Sequence, residues 1–187
     1  VDLRDVDGDT PLSMASSNGH AQVVKLLLEA RATSVDAPNL EDATPLNMAA
    51  HDGHVEVVRL LLAANATSID FPRKFRVDPR HDGATPLLLA AEKGHLEVVQ
   101  LLLGAGARSV DTPKANGVTP VYIAACNGHT EVVRLLLRAG AKRNHVLPDG
   151  QTPMLAAKEN GHTKVCQALR DHAAEDDAAE RGAREDS

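Results

Sequence analysis

Apolar residues in this chain alternate between two kinds of stretch. One is a dense run, seen as VVKLLL (23–28), VVRLLL (57–62), VVQLLL (98–103) and VVRLLL (132–137). Each sits in a segment such as HVEVVRLLLAA (54–64), whose wide apolar stripe at helical spacing predicts a helix, one expected to be buried on both sides. The other is short and built of small residues, as in LNMAAHD (46–52). It predicts a short helix whose alanines let a neighbour approach closely. Polar links such as SVDAPNLEDA (34–43) are rich in turn formers.

The boundaries of these stretches repeat. Thr-Pro recurs at Thr10-Pro11, Thr44-Pro45, Thr85-Pro86, Thr119-Pro120 and Thr152-Pro153, in steps of 34, 41, 34 and 33. Nine residues after each Thr comes Gly-His, at His20, His54, His95, His129 and His162. A threonine followed by proline is a helix start, with a hydroxyl cap and then a ring that fixes φ at the first helical position. Gly then ends the short helix, and Gly104, Gly106 and Gly140 are read as stops for the longer ones. The pattern predicts five helix-turn-helix units, about 1–34, 35–68, 69–109, 110–143 and 144–170, joined by finger-like links.

This compound motif resembles the ankyrin-repeat family. The resemblance rests on DGDTPLSMASSNGHAQVVKLLLEA (7–30), EDATPLNMAAHDGHVEVVRLLLAA (41–64), DGATPLLLAAEKGHLEVVQLLLGAGA (82–107), NGVTPVYIAACNGHTEVVRLLLRAGA (116–141) and DGQTPMLAAKENGHTKVCQAL (149–169). It implies an all-α fold, an α-solenoid over residues 1–170. Where the family carries His after its Thr-Pro-Leu, this chain has Ser13, Asn47, Leu88, Tyr122 and Leu155. The inter-repeat hydrogen bonds attributed to that His are therefore not carried over.

Terminal units of a stacked array must present a polar outer face. Unit five has Ala168 and Arg170 where other units have leucine, and reads as a cap. Unit one keeps Leu26, Leu27 and Leu28, and Val1-Asp2 stands in register with Val35-Asp36. The expectation is a longer array that was cut, or a partner covering this face. Residues 171–187 hold seven acids against two arginines and read as a fraying helix or disordered tail.

Composition narrows the class. Aromatics are 2% of residues, with no Trp, so the core must come from Leu, Val, Ala, Ile and Met. No apolar run approaches a membrane span. Two distant cysteines, Cys126 and Cys166, fit a reducing, intracellular compartment, cytoplasmic or nuclear. The sequon Asn65-Ala66-Thr67 is read as chance.

Catalytic signals are weak. Five of the nine histidines belong to the repeat, and His51, His81, His145 and His172 form no ligand spacing. His54-Val-Glu56 matches half a zinc-deaminase signature without its Pro-Cys-x-x-Cys partner. Gly104-Ala-Gly106 follows a helix, where a phosphate cradle would open one. Cys126 aligns with Ser17, His51, Glu92 and Glu159, which marks a variable and exposed position. No enzyme activity, cofactor or metal site is expected.

The resemblance implies a protein-binding surface on the fingers and the ends of the short helices. By position the fingers supply Val6, Asp7, Asp9, Leu40, Glu41, Ala43, His81, Asp82, Ala84, Ala115, Asn116, Val118, Pro148, Asp149 and Gln151. The short helices supply Ser17, Asn18, His51, Asp52, Glu92, Lys93, Cys126, Asn127, Glu159 and Asn160. Acids outnumber bases, favouring a basic or polar partner over nucleic acid.

One link breaks the period. FPRKFRVDPRH (71–81) carries seven extra residues and both phenylalanines, Phe71 and Phe75, beside Arg73, Lys74, Arg76 and Arg80. Two aromatics beside four cations could grip an acidic partner. The other readings are a tolerated longer loop and a dock for the acidic tail. The function expected is an adaptor or scaffold. The alternatives are a subunit docked through the uncapped first unit, or an anionic-surface binder acting through the basic insertion.

Overall fold

A computed structural model describes residues 3–30, 35–73 and 82–185, with side chains described up to residue 174. Among the described residues ten α-helices form five antiparallel pairs, with short 3-10 helices at Ser68–Asp70 and Ser109–Asp111 in two of the links. The inner helices are α1 (Pro11–Ser17), α3 (Pro45–Asp52), α5 (Pro86–Lys93), α7 (Pro120–Cys126) and α9 (Pro153–Glu159). The outer ones are α2 (Ala21–Glu29), α4 (Val55–Ala63), α6 (Leu96–Gly104), α8 (Thr130–Arg138) and α10 (Thr163–Glu185). Inner packs on inner, outer on outer, and each inner helix on its own partner. The result is a two-layer solenoid.

Each inner helix starts as the Thr-Pro signal predicts. The Thr hydroxyl accepts from the backbone N–H three residues on, from Ser13 at 3.1 Å in α1 through Leu155 at 3.2 Å in α9. In the first two units the third residue closes a reciprocal box, because Ser13 Oγ and Asn47 Oδ1 accept from the N–H of Thr10 and Thr44. That satisfies two N–H groups the helix cannot pair internally. At the other end the glycine adopts positive φ, +78° at Gly53 and at Gly94. The His N–H then turns back onto the inner helix, as His54 N–H does to the Ala49 carbonyl at 3.0 Å. So little chain between helices forces them antiparallel.

The core sits where the two layers meet, but burial is shared unevenly. In α5 every residue from Pro86 to Ala91 is buried. In α6 only Val98, Val99 and Leu102 are. The expectation that the leucine-rich helices are buried on both sides is corrected here. They face inward on one side, and Arg59, Gln100 and Arg134 face solvent on the other. The small-residue helices are enclosed by two neighbours, an outer helix and the fingers. A fully buried leucine such as Leu87 or Leu102 contributes about 1.5–3 kcal/mol, so the joint between the layers supplies most of the cohesion.

The stops of the outer helices are also specific. Gly106 and Gly140 take φ of +92° and +90°, while Gly104 is the last residue of α6 and is not among the positive-φ glycines. In unit two Asn65 fills the same role with φ +60°. Among the described residues the backbone of α10 continues as helix through Glu185.

Candidate protein-docking surface

The links fold into short fingers that project beside the inner helices. Each is closed by a bond from one N–H to the carbonyl four residues on: Asp5 to Asp9, Asn39 to Ala43, Lys114 to Val118 and Leu147 to Gln151, at 2.8–3.0 Å. The residue before the closing one takes positive φ. It is Gly8, Gly117 or Gly150, and in unit two Asp42 at +54°. The third finger closes the same way across its insertion. Arg73 N–H donates to the Ala84 carbonyl and Gly83 N–H to the Arg73 carbonyl, both at 2.9 Å. Lys74, Phe75, Arg76, Arg80 and His81 lie outside the described residues.

Fingers are tied to one another. Leu40 N–H donates to the Asp7 carbonyl at 3.0 Å, and Ala115 N–H to the Asp82 carbonyl at 2.6 Å. Asn39 Nδ2 reaches Asp9 Oδ1 at 3.1 Å. Asn47, standing where the family has His, donates from Nδ2 to the Phe71 carbonyl at 3.2 Å. Unit two therefore keeps a bond to the next finger by another side chain. Leu88, Tyr122 and Leu155 carry none in that position.

A second ladder runs below the fingers. His54, His95, His129 and His162 place Nε2 2.8–3.1 Å from the carbonyls of Ser17, His51, Glu92 and Cys126 in the preceding unit. A third uses link aspartates. Asp36 accepts from Thr67 N–H, Thr67 Oγ1 and Ser68 N–H at 2.7–3.0 Å, Asp70 from Arg108 and Ser109 N–H, and Asp111 from Lys142 N–H. Burial raises the Asp36 pKa, but the hydrogen bonds from Ser68 and Thr67 outweigh it and hold the carboxyl below 3.8.

The expected contact residues fall into clusters. Leu40, 55% exposed, stands at the rim of a cleft of about 350 Å³ lined by Asp7, Asp9, Asn39, Glu41, Met48 and Arg73. Glu41 Oε2 pairs with Arg73 Nη2 at 2.5 Å. His51 Nδ1 meets Asp52 Oδ1 at 2.7 Å, and Asp52 Oδ2 accepts from Ser17 Oγ at 3.3 Å. Asn127 Nδ2 donates to the Glu92 carbonyl at 2.8 Å, while Lys93 is exposed. Asn116 shapes its own finger by accepting from Val118 N–H. Phe71 is 40% exposed at the foot of the insertion.

Several positions differ from their sequence reading. Ala43, Ala84 and Val118 are 0–7% exposed, because the residue that closes a finger turns onto the inner helix. Cys126 is half-buried, with Asn160 Nδ2 3.6 Å from its Sγ. Arg73 is held by Glu41 and is not an open cation. Lys114 escaped notice altogether. It is 5% exposed, with Nζ 4.0 Å from Glu92 Oε2. The signal was there: Asn39, Arg73 and Lys114 each follow a link proline and each opens its finger.

Nearby Tyr122 has its phenol pKa raised, by burial first and then by the charges of Cys126, Asp149 and Glu159. Carboxylates thus dominate what this face offers at both ends. Among the described residues no group of three or more His, Cys, Asp or Glu could hold a metal ion. Among them also, no helix is long and apolar enough to cross a membrane.

A family model described as ankyrin repeats (3 copies) matches overlapping windows at 1–74, 35–113, 69–146 and 87–180. No curated protein matches the chain. The windows cover nearly the whole sequence, in register with the helix pairs described above, and the chain belongs to the ankyrin-repeat family.

Proposed function

We propose that this chain is a non-catalytic docking module, an adaptor or scaffold, and that its partner lies across the fingers and the C-terminal ends of the inner helices. Ankyrin repeats generally mediate protein–protein interactions. The observation that carries the reading is the cleft at the second finger. It offers aliphatic surface from Leu40 and Met48 inside a ring of Asp7, Asp9 and Glu41. The fingers that shape it are pinned by backbone bonds, so the surface exists before a partner arrives and costs little ordering.

The chemistry of the partner follows from charge. Arg73 is paired with Glu41, which leaves Asp7 and Asp9 as the charge the cleft presents, and Lys93, exposed on α5, is not part of its lining. A lysine- or arginine-bearing segment with an aliphatic anchor fits it. Nucleic acid, which needs cations to displace its counterions, does not. The insertion adds a contact beside the cleft, with Phe71 exposed at its foot.

The test is a pull-down with four baits: the intact chain, Leu40→Ser with Asp7→Asn, a deletion of residues 74–80, and Arg134→Ala on the outer layer. The deletion keeps the Arg73–Ala84 pairing and restores the spacing of the other fingers. A partner lost with the cleft variant and kept with Arg134→Ala, at unchanged helical melts, supports the reading. Retention by the cleft variant contradicts it. The deletion reports separately on the insertion.

A further inference from the structure

We infer that Thr112 is a phosphorylation site, the substrate of a proline-directed protein kinase that uses a nucleoside triphosphate as donor. It lies in the link between units three and four, apart from the cleft at the second finger.

The observation is a Thr-Pro pair out of register. The chain holds six such pairs, and five of them start the inner helices. Those five hydroxyls are occupied. Thr10, Thr44, Thr85 and Thr119 are 0–2% exposed. Each of them, like the half-buried Thr152, accepts the N–H three residues on. The prolines that follow them are already helical. A kinase would have to break a cap and unwind a first turn to reach any of the five.

Thr112-Pro113 is the sixth pair and differs on each count. Both residues are exposed. Thr112 is extended, with φ −70° and ψ 115°. A following proline favours that backbone, and a kinase cleft takes its substrate segment in extended form. The Thr112 N–H closes the short turn onto the Ser109 carbonyl at 3.1 Å, but its hydroxyl has no hydrogen-bond partner among the described residues. Pro38 and Pro72 hold the place of Pro113 in units two and three, and they follow Ala37 and Phe71. The hydroxyl ahead of the proline is thus particular to this link among the three.

The charge around the site suits a phosphate. Asp111 Oδ1 is taken by Lys142 N–H at 2.8 Å, and Asp70 by the N–H groups of Arg108 and Ser109. These bonds hold the backbone of Arg108 and Lys142 at the link that carries Thr112. Both side chains belong to exposed residues, and neither forms an ion pair among the described residues. A phosphate of about −1.5 to −2 charges at pH 7 therefore arrives where two cations are available for charge-assisted hydrogen bonds. In the transfer, Thr112 Oγ1 attacks the γ-phosphorus. An Oγ1–P bond forms as the bridging P–O bond breaks, the nucleoside diphosphate leaves, and the hydroxyl proton passes to the kinase's catalytic aspartate.

The test incubates the full chain with ATP and a purified Ser/Thr-Pro kinase, and maps phosphate by mass spectrometry. A synthetic peptide of residues 107–118 runs alongside. The expected result is one phosphate per folded chain, on Thr112, with the five cap threonines unmodified. Thr112→Ser should keep the phosphate, while Thr112→Val and Pro113→Ala should lose it. Thr112→Ser and Thr112→Val should melt as the parent does, because the hydroxyl holds nothing in the fold. A folded chain that stays unmodified while the peptide is phosphorylated overturns the proposal, since the fold then shields Thr112. So does a peptide that the kinase refuses, or phosphate on the cap threonines of the folded chain with Thr112 unmarked.

Discussion

The imidazole of His54 occupies the place a side chain on Gly19 would need. A Cβ there would lie 2.6 Å from Nδ1, while Nε2 donates to the Ser17 carbonyl at 2.8 Å. The relationship recurs between His95 and Gly53, His129 and Gly94, and His162 and Gly128. Gly and His are adjacent in sequence, but they serve different neighbours. The glycine of one unit receives the histidine of the next, and the positive φ that ends the inner helix comes from the same residue.

Substituting these glycines should separate the two roles. Gly53→Ala carries the cost of the left-handed backbone, about 1–2 kcal/mol, and a collision with the His95 ring at 2.5 Å that adds about 1–3 kcal/mol of overpacking. Gly161→Ala has the same backbone problem at φ +75° but open space, and should cost only the first amount. Denaturant titration of both variants gives the difference. Equal costs would mean that the ring contact contributes nothing.

Removing the ring should also depend on position. His95→Ala leaves the His51 carbonyl without its 3.0 Å partner and should cost about 1–3 kcal/mol. His20→Ala removes an exposed side chain and should stay within about 0.5 kcal/mol. Thermal melts of the two variants check this ordering.

Asp36 makes the stack sensitive to acid. Its folded pKa lies below the ordinary 3.8. Its contribution is therefore present above that value and disappears as pH falls through the folded pKa. Asp36→Asn removes the titration. Stability measured from about pH 5 downward should fall more steeply for the parent than for the variant, and the two curves should converge in acid. Parallel curves would mean that the bonds from Thr67 and Ser68 do not favour the ionised form.

Asn65 replaces the glycine that stops other outer helices, at φ +60°. Asparagine tolerates this conformation and glycine is free in it, so Asn65→Gly should be neutral or stabilise by up to about 1 kcal/mol. Asn65→Val should cost at least about 1–2 kcal/mol. Equilibrium unfolding of both variants decides the matter.

Much of the fold was legible because capping chemistry is local. A threonine hydroxyl, a proline ring and a glycine at fixed spacing act within one turn, and five copies leave little freedom. Burial was less legible because it depends on neighbours. The runs of leucine in α4 and α6 invited the reading that they are the most enclosed, yet α3 and α5 are, through alanine and the fingers around them. At the candidate surface, the cations misled for the same reason. Arg73 looked like a free contact until Glu41 was placed beside it by the fold, and the link proline marks Lys114 as opening its finger while its burial depends on Glu92 in the neighbouring unit. The replacement of the family's His by Asn47 could be read in the sequence, but its bond to the Phe71 carbonyl depends on where the next finger sits.

The central claim is that partners meet the fingers rather than the outer layer, and site-specific photo-crosslinking addresses it directly. A photoreactive residue would be placed at Leu40 or Asn127 on the finger side, and at Arg59 or Arg134 on the outer helices. The account predicts partner adducts from the first pair and none from the second. Adducts from Arg59 or Arg134, with Leu40 and Asn127 silent, would contradict it.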